Sequence, residues 1–298
     1  MKKILLALCG GFILFAGCKE NDALIVVTRA VDSTFTVPVP ATTDAHNVLV
    51  EEFTGQSCSN CPAAHSLLES IVSHHAPGSV NVIGLYIDGN PQSVPNAFSK
   101  HDLRDSIASN IGTDVYGGVS QMPGAGIDRT PVAGILQLGS GSWSDFINSQ
   151  LSITDPLNLS VQSSYNSTTG IAEITATIIY TQTVTVPQNI SVAVVEDSII
   201  DIQEYPITDP TYTSGYDTFY VFKSVFRGMV STPPFGDPIL AKITTKNPGQ
   251  GYQIHYSYKP KSIVPAIVPA HCRVIAFVNT INGSDYHVVQ SVQCKLTP

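Results

Sequence analysis

Cys58 and Cys61 stand three positions apart where a strand pattern runs into a helix pattern. Two thiols at that spacing can close a disulfide or exchange one with another molecule. Upstream, VLVEEFT (48–54) is rich in strand formers, and Gly55 and Ser57 break the run. Downstream, Ala63–Ala64, Leu67–Leu68 and Ile71–Val72 recur every four residues, one apolar stripe on a helix. Pro62 suits a first helical turn, where its missing N–H costs nothing. Cys58 is therefore expected beside the unpaired N–H groups and positive potential of a helix N-terminus, which favour thiolate over thiol.

The chain opens MKKILLALCGGFILFAGC. Lys2 and Lys3 form a positive n-region, and the apolar stretch from Ile4 to Phe15 is too short to span a bilayer. With Ala16 and Gly17 before Cys18, residues 1–17 resemble a bacterial lipoprotein signal, whose removal leaves Cys18 as a lipid-bearing N-terminus. Such a protein is held to a membrane through that lipid, in the cell envelope. Export leaves four cysteines: Cys58, Cys61, Cys272 and Cys294, an even number suited to two disulfides in an oxidising compartment. The segments VIAFVNT and HVVQSVQ read as a hairpin turning at Asn282–Gly283. A turn centred on Gly283 sets Cys272 opposite Cys294, each eleven residues away, and predicts a structural disulfide unless a bulge breaks the register.

Fifteen basic against 23 acidic residues leave no basic cluster to follow a phosphate backbone, so nucleic acid is not expected as a partner. With 43% hydrophobic and 13% charged residues, a well-buried, strand-rich chain is expected rather than a disordered one. A c-type haem needs histidine directly after the second cysteine, and Pro62 stands there. Cys58, Cys61 and His65 make only a partial metal set, with His65 expected to face solvent, so no metal and no cofactor are expected. His74–His75 falls at a helix end, and His271 and His287 on the terminal hairpin, none requiring chemistry. Asp128–Arg129 reads as a surface ion pair.

The elements divide the chain. Residues 18–44 read as a tether with an edge strand. From 45 to 153, strands and helices alternate: 48–54, the dithiol helix, a near-continuous apolar strand at 80–88, a weaker helix over 96–111, strands at 119–129 and 134–138, and a helix begun by Ser142 with Trp143 as core anchor. From 154 to 298, about seven short alternating runs read as an antiparallel β-sandwich, with 200–218 as a solvated loop.

The order β-α-β-α-β-β-α around Cys58–Cys61 is that of thioredoxin. The fold expected is therefore α/β plus all-β: a thioredoxin-like domain followed by an antiparallel β-sandwich. The resemblance implies a buried acid six residues before the first cysteine, which is Glu52 here. It also implies a cis-proline facing the dithiol, which falls on Pro123, with Met122 lining a substrate groove. The chain departs from the family in three places. Ser57 replaces the usual aromatic, no lysine stands in strand 80–88, and Ser59–Asn60 separates the cysteines.

Taken whole, the leader, EEFTGQSCSNCPAAH, MPGAGIDR and the sandwich ending VIAFVNT…HVVQSV resemble the outer-membrane-protein-28-related lipoproteins of the Bacteroidetes. That resemblance implies an outer-membrane lipoprotein, and two leading roles stay open, with metal or copper handling at Cys58, Cys61 and His65 a third behind them. One is thiol–disulfide exchange with protein or peptide partners, with Cys58 attacking, Cys61 resolving, Glu52 assisting and Pro123 shaping the groove. The other is non-enzymatic binding of a surface partner, or adhesion, in which Cys58–Cys61 is a staple.

Overall fold

The computed structural model describes residues 27–40, 42–260 and 266–297, so the leader and Cys18 lie outside the described residues. In chain order the strands are β1 (Val27–Thr36), β2 (Val48–Thr54), β3 (Val80–Tyr86), β4 (Gly124–Ile127), β5 (Leu157–Asn166), β6 (Ile171–Tyr180) and β7 (Gln188–Glu196). They continue with β8 (Ile199–Glu204), β9 (Tyr216–Phe222), β10 (Val225–Met229), β11 (Asp237–Pro238), β12 (Gln250–Tyr258), β13 (Cys272–Thr280) and β14 (Val288–Lys295). The α-helices are α1 (Cys61–His74), α2 (Ser106–Asn110) and α3 (Trp143–Gln150). No helix among the described residues is long and apolar enough to cross a membrane.

The protein is β-rich. A sheet of order β14-β13-β7-β10-β3-β2-β4, with β11 added alongside β7, takes strands from both sides of residue 153. β2 and β3 run parallel from Val48↔Val80 to Thr54↔Tyr86, and β4 lies antiparallel on the other side of β2. Every residue of β2 is buried, Glu51, Glu52 and Thr54 included, so the strand is covered on both faces. The join is β10, which is parallel to β3 at Val225↔Gly84 and antiparallel to β7.

A second sheet of order β1-β12-β6-β5 carries β1 on its edge, paired with β12 over nearly its whole length. It packs face to face on β7, β13 and β14 through Ile174, Ile178, Tyr256, Val192 and Val274. β6 alternates buried and part-exposed positions, the period expected of a strand with one face in the core.

One cluster packs Leu49, Phe53, Ile83 and Leu85 together with Ala193, Phe226, Ile275 and Phe277, so the two segments share apolar contacts across one sheet. On the opposite face, α1 and α3 cover β2 and β4 through Leu68, Ile71, Trp143 and Ile147, with Trp143 fully buried as expected.

Three expectations change. The 96–111 helix shortens to α2, capped by the Asp105 carboxylate accepting from Ile107 N and Ala108 N, and continues as a π-helical turn over Ile111–Val115. Phe98, counted on its apolar stripe, is 81% exposed. The strand expected at 134–138 reduces to single bridges, Val132↔Ile135 and Ala125↔Leu138, because Gly134 turns the chain at φ +83. The Cys272–Cys294 disulfide is absent, and both cysteines are free. The turn is centred between Gly283 and Ser284, with Asn282 bridged to Asp285, and a bulge between Val278 and Asn279 adds a second shift, so that Val274, not Cys272, faces Cys294. Cys272 Sγ instead lies 3.4 Å from Val268 O, and burial pushes its thiol up to about 12.

Gly126 in β4 shows how closely this sheet is covered. A Cβ there would sit 1.9 Å from Tyr116 Oη, and Tyr116 donates to Glu51 Oε2 at 2.6 Å. Gly126→Ala must displace the tyrosine ring and is expected to lower unfolding free energy by about 1–3 kcal/mol in urea melts.

Candidate functional site: a capped dithiol and the buried carboxyl beside it

Cys58 and Cys61 form a disulfide with Cα atoms 5.3 Å apart. Cys61 opens α1, Pro62 occupies its first turn, and Cys58 lies in the preceding turn, as the sequence pattern requires. Both cysteines are 0% exposed. Two segments cover them. The first is the loop after β3: Ser57 N donates to Gln92 O at 2.9 Å, and Ser57 Oγ donates to Val94 O at 2.7 Å. Gly55 makes this approach feasible, since a Cβ there would stand 2.1 Å from Gln92 O.

The second cover is the β8–β9 hairpin, which corrects the reading of 200–218 as a solvated loop. Gln203 Nε2 donates to Cys58 O at 3.1 Å and to Gly55 O at 3.3 Å, while Glu204 N donates to Gln56 O at 2.9 Å. Asp201 accepts from Lys100 N at 3.0 Å and His101 N at 2.7 Å. β8 escaped sequence reading because its alternation is inverted: Asp201 and Gln203 point inward and Ile200 faces out.

Met122–Pro123 is a cis peptide bond, and both residues are partly exposed. Ser93 Oγ donates to Thr54 O at 3.3 Å and lies 3.9 Å from Met122 Sδ. Met122 thus reaches the loop that covers the dithiol.

Glu51 and Glu52 point to opposite faces of β2, and both are buried. Glu51 is matched: Arg129 Nε and Nη2 donate to its carboxylate at 2.8 and 2.7 Å. The expected surface pair Asp128–Arg129 is therefore neither a pair nor on the surface. Asp128 accepts from Leu49 N at 2.7 Å and faces His46 Nε2 at 3.0 Å, while Asp155 holds His46 Nδ1 at 2.9 Å. Burial opposes a charged ring in His46, but the two carboxylates outweigh it and raise its pKa to about 10.

Glu52 is unmatched. Its Oε1 is buried and has no hydrogen-bond partner, with His65 Nε2 lying 3.6 Å away. Burial, and then the charge of Glu69, raise its pKa to about 8. His65 is not solvent-facing as expected. Its Nε2 bonds Thr54 Oγ1 at 2.7 Å and its Nδ1 bonds Tyr220 Oη at 2.6 Å, and burial lowers its pKa to about 4. A neutral ring with both nitrogens engaged leaves nothing to bind a metal, and no metal-holding group of His, Cys, Asp and Glu occurs among the described residues. Tyr220 and His46 carry no local sequence signal, since their partners lie 155 and 109 residues away.

The Omp28 family model, described as outer membrane protein Omp28, matches residues 110–298. That span holds Pro123, the capping hairpin and both free cysteines but not the disulfide. No curated protein matches the sequence. The fold is similar to that of HBP35 of Porphyromonas gingivalis, at a TM-score of 0.62 and 15% identity, covering 85% of this chain and 76% of that one. A domain of the outer membrane lipoprotein Omp28 from Porphyromonas gingivalis also aligns, at a TM-score of 0.32 and 16% identity, covering 48% of this chain and 90% of that one. With well over half of its length inside the match, this chain belongs to the outer membrane protein Omp28 family.

Proposed function

We propose that the protein is a non-enzymatic binding lipoprotein of the outer membrane, anchored through lipid on Cys18, in which Cys58–Cys61 is a staple. The single observation that carries this reading is the complete burial of both cysteines beneath a hairpin that hydrogen-bonds the backbone of the motif itself. Exchange requires a thiolate to approach a sulfur in line, and here both cysteines are 0% exposed, with Gln203 bonded to the Cys58 carbonyl. A contiguous apolar strip on the hairpin's outer face supports binding. Ile200 pairs with Val221, and Phe219 follows on the same face, 78% exposed. The thioredoxin-like character of 45–153 is supported by the β4-β2-β3 order, the parallel β2–β3 pair and the cis bond at Pro123. On this reading that segment is a scaffold within the protein.

A second reading, thiol–disulfide exchange after the hairpin opens, is favoured by Glu52, an acid held near neutrality at the sequence position where the thioredoxin resemblance puts a proton carrier. One experiment separates them. After mild reduction, alkylation followed by peptide mass analysis should show Cys58 labelled more than about a hundredfold slower than in urea. The disulfide potential should lie below about −300 mV, with no turnover of insulin. Rapid labelling of Cys58, or turnover abolished by Cys58→Ser in a folded protein, would establish exchange instead. Removing the staple by Cys58→Ser with Cys61→Ser is expected to cost only about 2 kcal/mol, because the loop closed is short.

A further inference from the structure

Beside the capped dithiol, α1, β3, the end of β9 and residues of β13 and β14 line a half-open pocket of about 620 Å³ that neither cysteine lines. Its size is that of a small-molecule site. One wall is apolar: Leu68 and Val72 of α1, Pro77, and Val80 and Val82 of β3. Glu52, His65 and Tyr220 supply polar groups. The two cations near its mouth are already matched. Lys223 Nζ bonds Glu69 Oε2 at 2.8 Å, and Arg273 Nε bonds Asp197 Oδ2 at 2.8 Å. An anion entering here meets cations whose charge is already balanced, whereas Glu52 Oε1 has no hydrogen-bond partner. A buried carboxyl oxygen left unmatched costs free energy that a ligand donor can recover. His65 cannot supply that donor, because both its nitrogens are engaged.

We infer that this cavity binds a small molecule with an apolar body and one protonated amine, the amine paired with Glu52 and the body lying on the Leu68–Val82 wall. The inference deepens the binding reading and rests on it.

The groups facing Glu52 are His65 and Glu69 from α1, Tyr86 from β3 and Tyr220 from β9. His65 is neutral above about pH 4, and burial pushes both tyrosines well above their usual range. Between pH 6 and 8 the ionising group among them is Glu52, half-titrated at about 8. Seating an ammonium against its protonated carboxyl expels one proton, and the ion pair remains.

Calorimetry with hexylamine, hexanol and hexanoate in two buffers of different ionisation enthalpy tests this. Hexylamine should bind with close to one proton released at pH 7. Its affinity should rise nearly tenfold per pH unit from 6 to 7.5 and level off above about pH 8. Hexanol and hexanoate should bind at least about tenfold more weakly at pH 8. E52Q should weaken hexylamine by at least about tenfold and abolish proton release, and V72F, which fills the apolar wall, should weaken all three probes. Equal binding of hexanol and hexylamine, binding without proton release, or no binding overturns the inference. The proton count on the unaltered protein decides the matter even if E52Q misfolds. Failure here leaves the staple untouched, since labelling of Cys58 reads that separately.

Discussion

Arg129→Ala lowers the unfolding free energy by about 3–5 kcal/mol, read as a fall in the urea midpoint at constant slope. The guanidinium is 2% exposed, grips Glu51 through two hydrogen bonds and lies 5.0 Å from the centre of the Phe277 ring. It therefore ties β2 to β13, strands from the two segments of the chain. Removing it leaves the Glu51 carboxylate inside the protein with Tyr116 Oη as its remaining side-chain donor. Glu51→Gln is expected to cost at least as much, because a guanidinium cannot shed its proton to escape burial. The double variant Glu51→Leu with Arg129→Met is the diagnostic comparison. Matched apolar side chains leave no orphaned charge, so it should be more stable than either single variant. Additive losses would show that the pair contributes nothing beyond its packing.

His46→Gln is expected to cost about 3–5 kcal/mol at pH 6, since it strands two buried carboxylates, Asp128 and Asp155, that the imidazolium neutralises. The pH dependence gives this prediction a sign. The folded-state pKa of His46, about 10, lies above its value of about 6.5 in the unfolded chain. The stability it confers is fully present below pH 6.5 and declines as pH rises toward 10, at up to about 1.4 kcal/mol per unit. Urea melts from pH 6 to 9 should show a steeper decline in the unaltered protein than in His46→Gln, which keeps only the part due to Glu52 and its raised pKa of about 8. Parallel curves for the two proteins would mean that the ring is neutral throughout.

Local signals carried the dithiol end of the molecule far. VLVEEFT, the CxxC turn with Pro62 and the four-residue apolar repeat after it correspond to β2 and α1, because strand texture, proline placement and helical period all act within a few residues. The sandwich strands β5, β6, β7, β12, β13 and β14 followed from alternation for the same reason. Long-range matching was invisible. Glu51 and Glu52 are adjacent and chemically alike, yet Arg129, 78 residues away, makes one a structural anion while the other stays unmatched. The Cys272–Cys294 pairing assumed a turn centred on Gly283 and an unbroken register; the turn centres between Gly283 and Ser284, and the bulge near Val278 adds a second shift. The run YVFKSVFRG (220–228) has the texture of one strand. Lys223–Ser224 divides it between the hairpin and β10, and a positive φ at Ser224 turns the chain into the large sheet.

That insertion of β10 beside β3 has a consequence for how the chain is made. Gly84 meets its neighbour Val225 only after about 140 further residues have emerged. Until then the growing chain holds β3 with a bare flank of N–H and C=O groups, the condition under which strands pair with the wrong molecule. Completion of the sheet waits on the last third of the polypeptide, so maturation is a late, non-local event with a slow rate. Any shield for that flank must therefore act before residue 225 arrives.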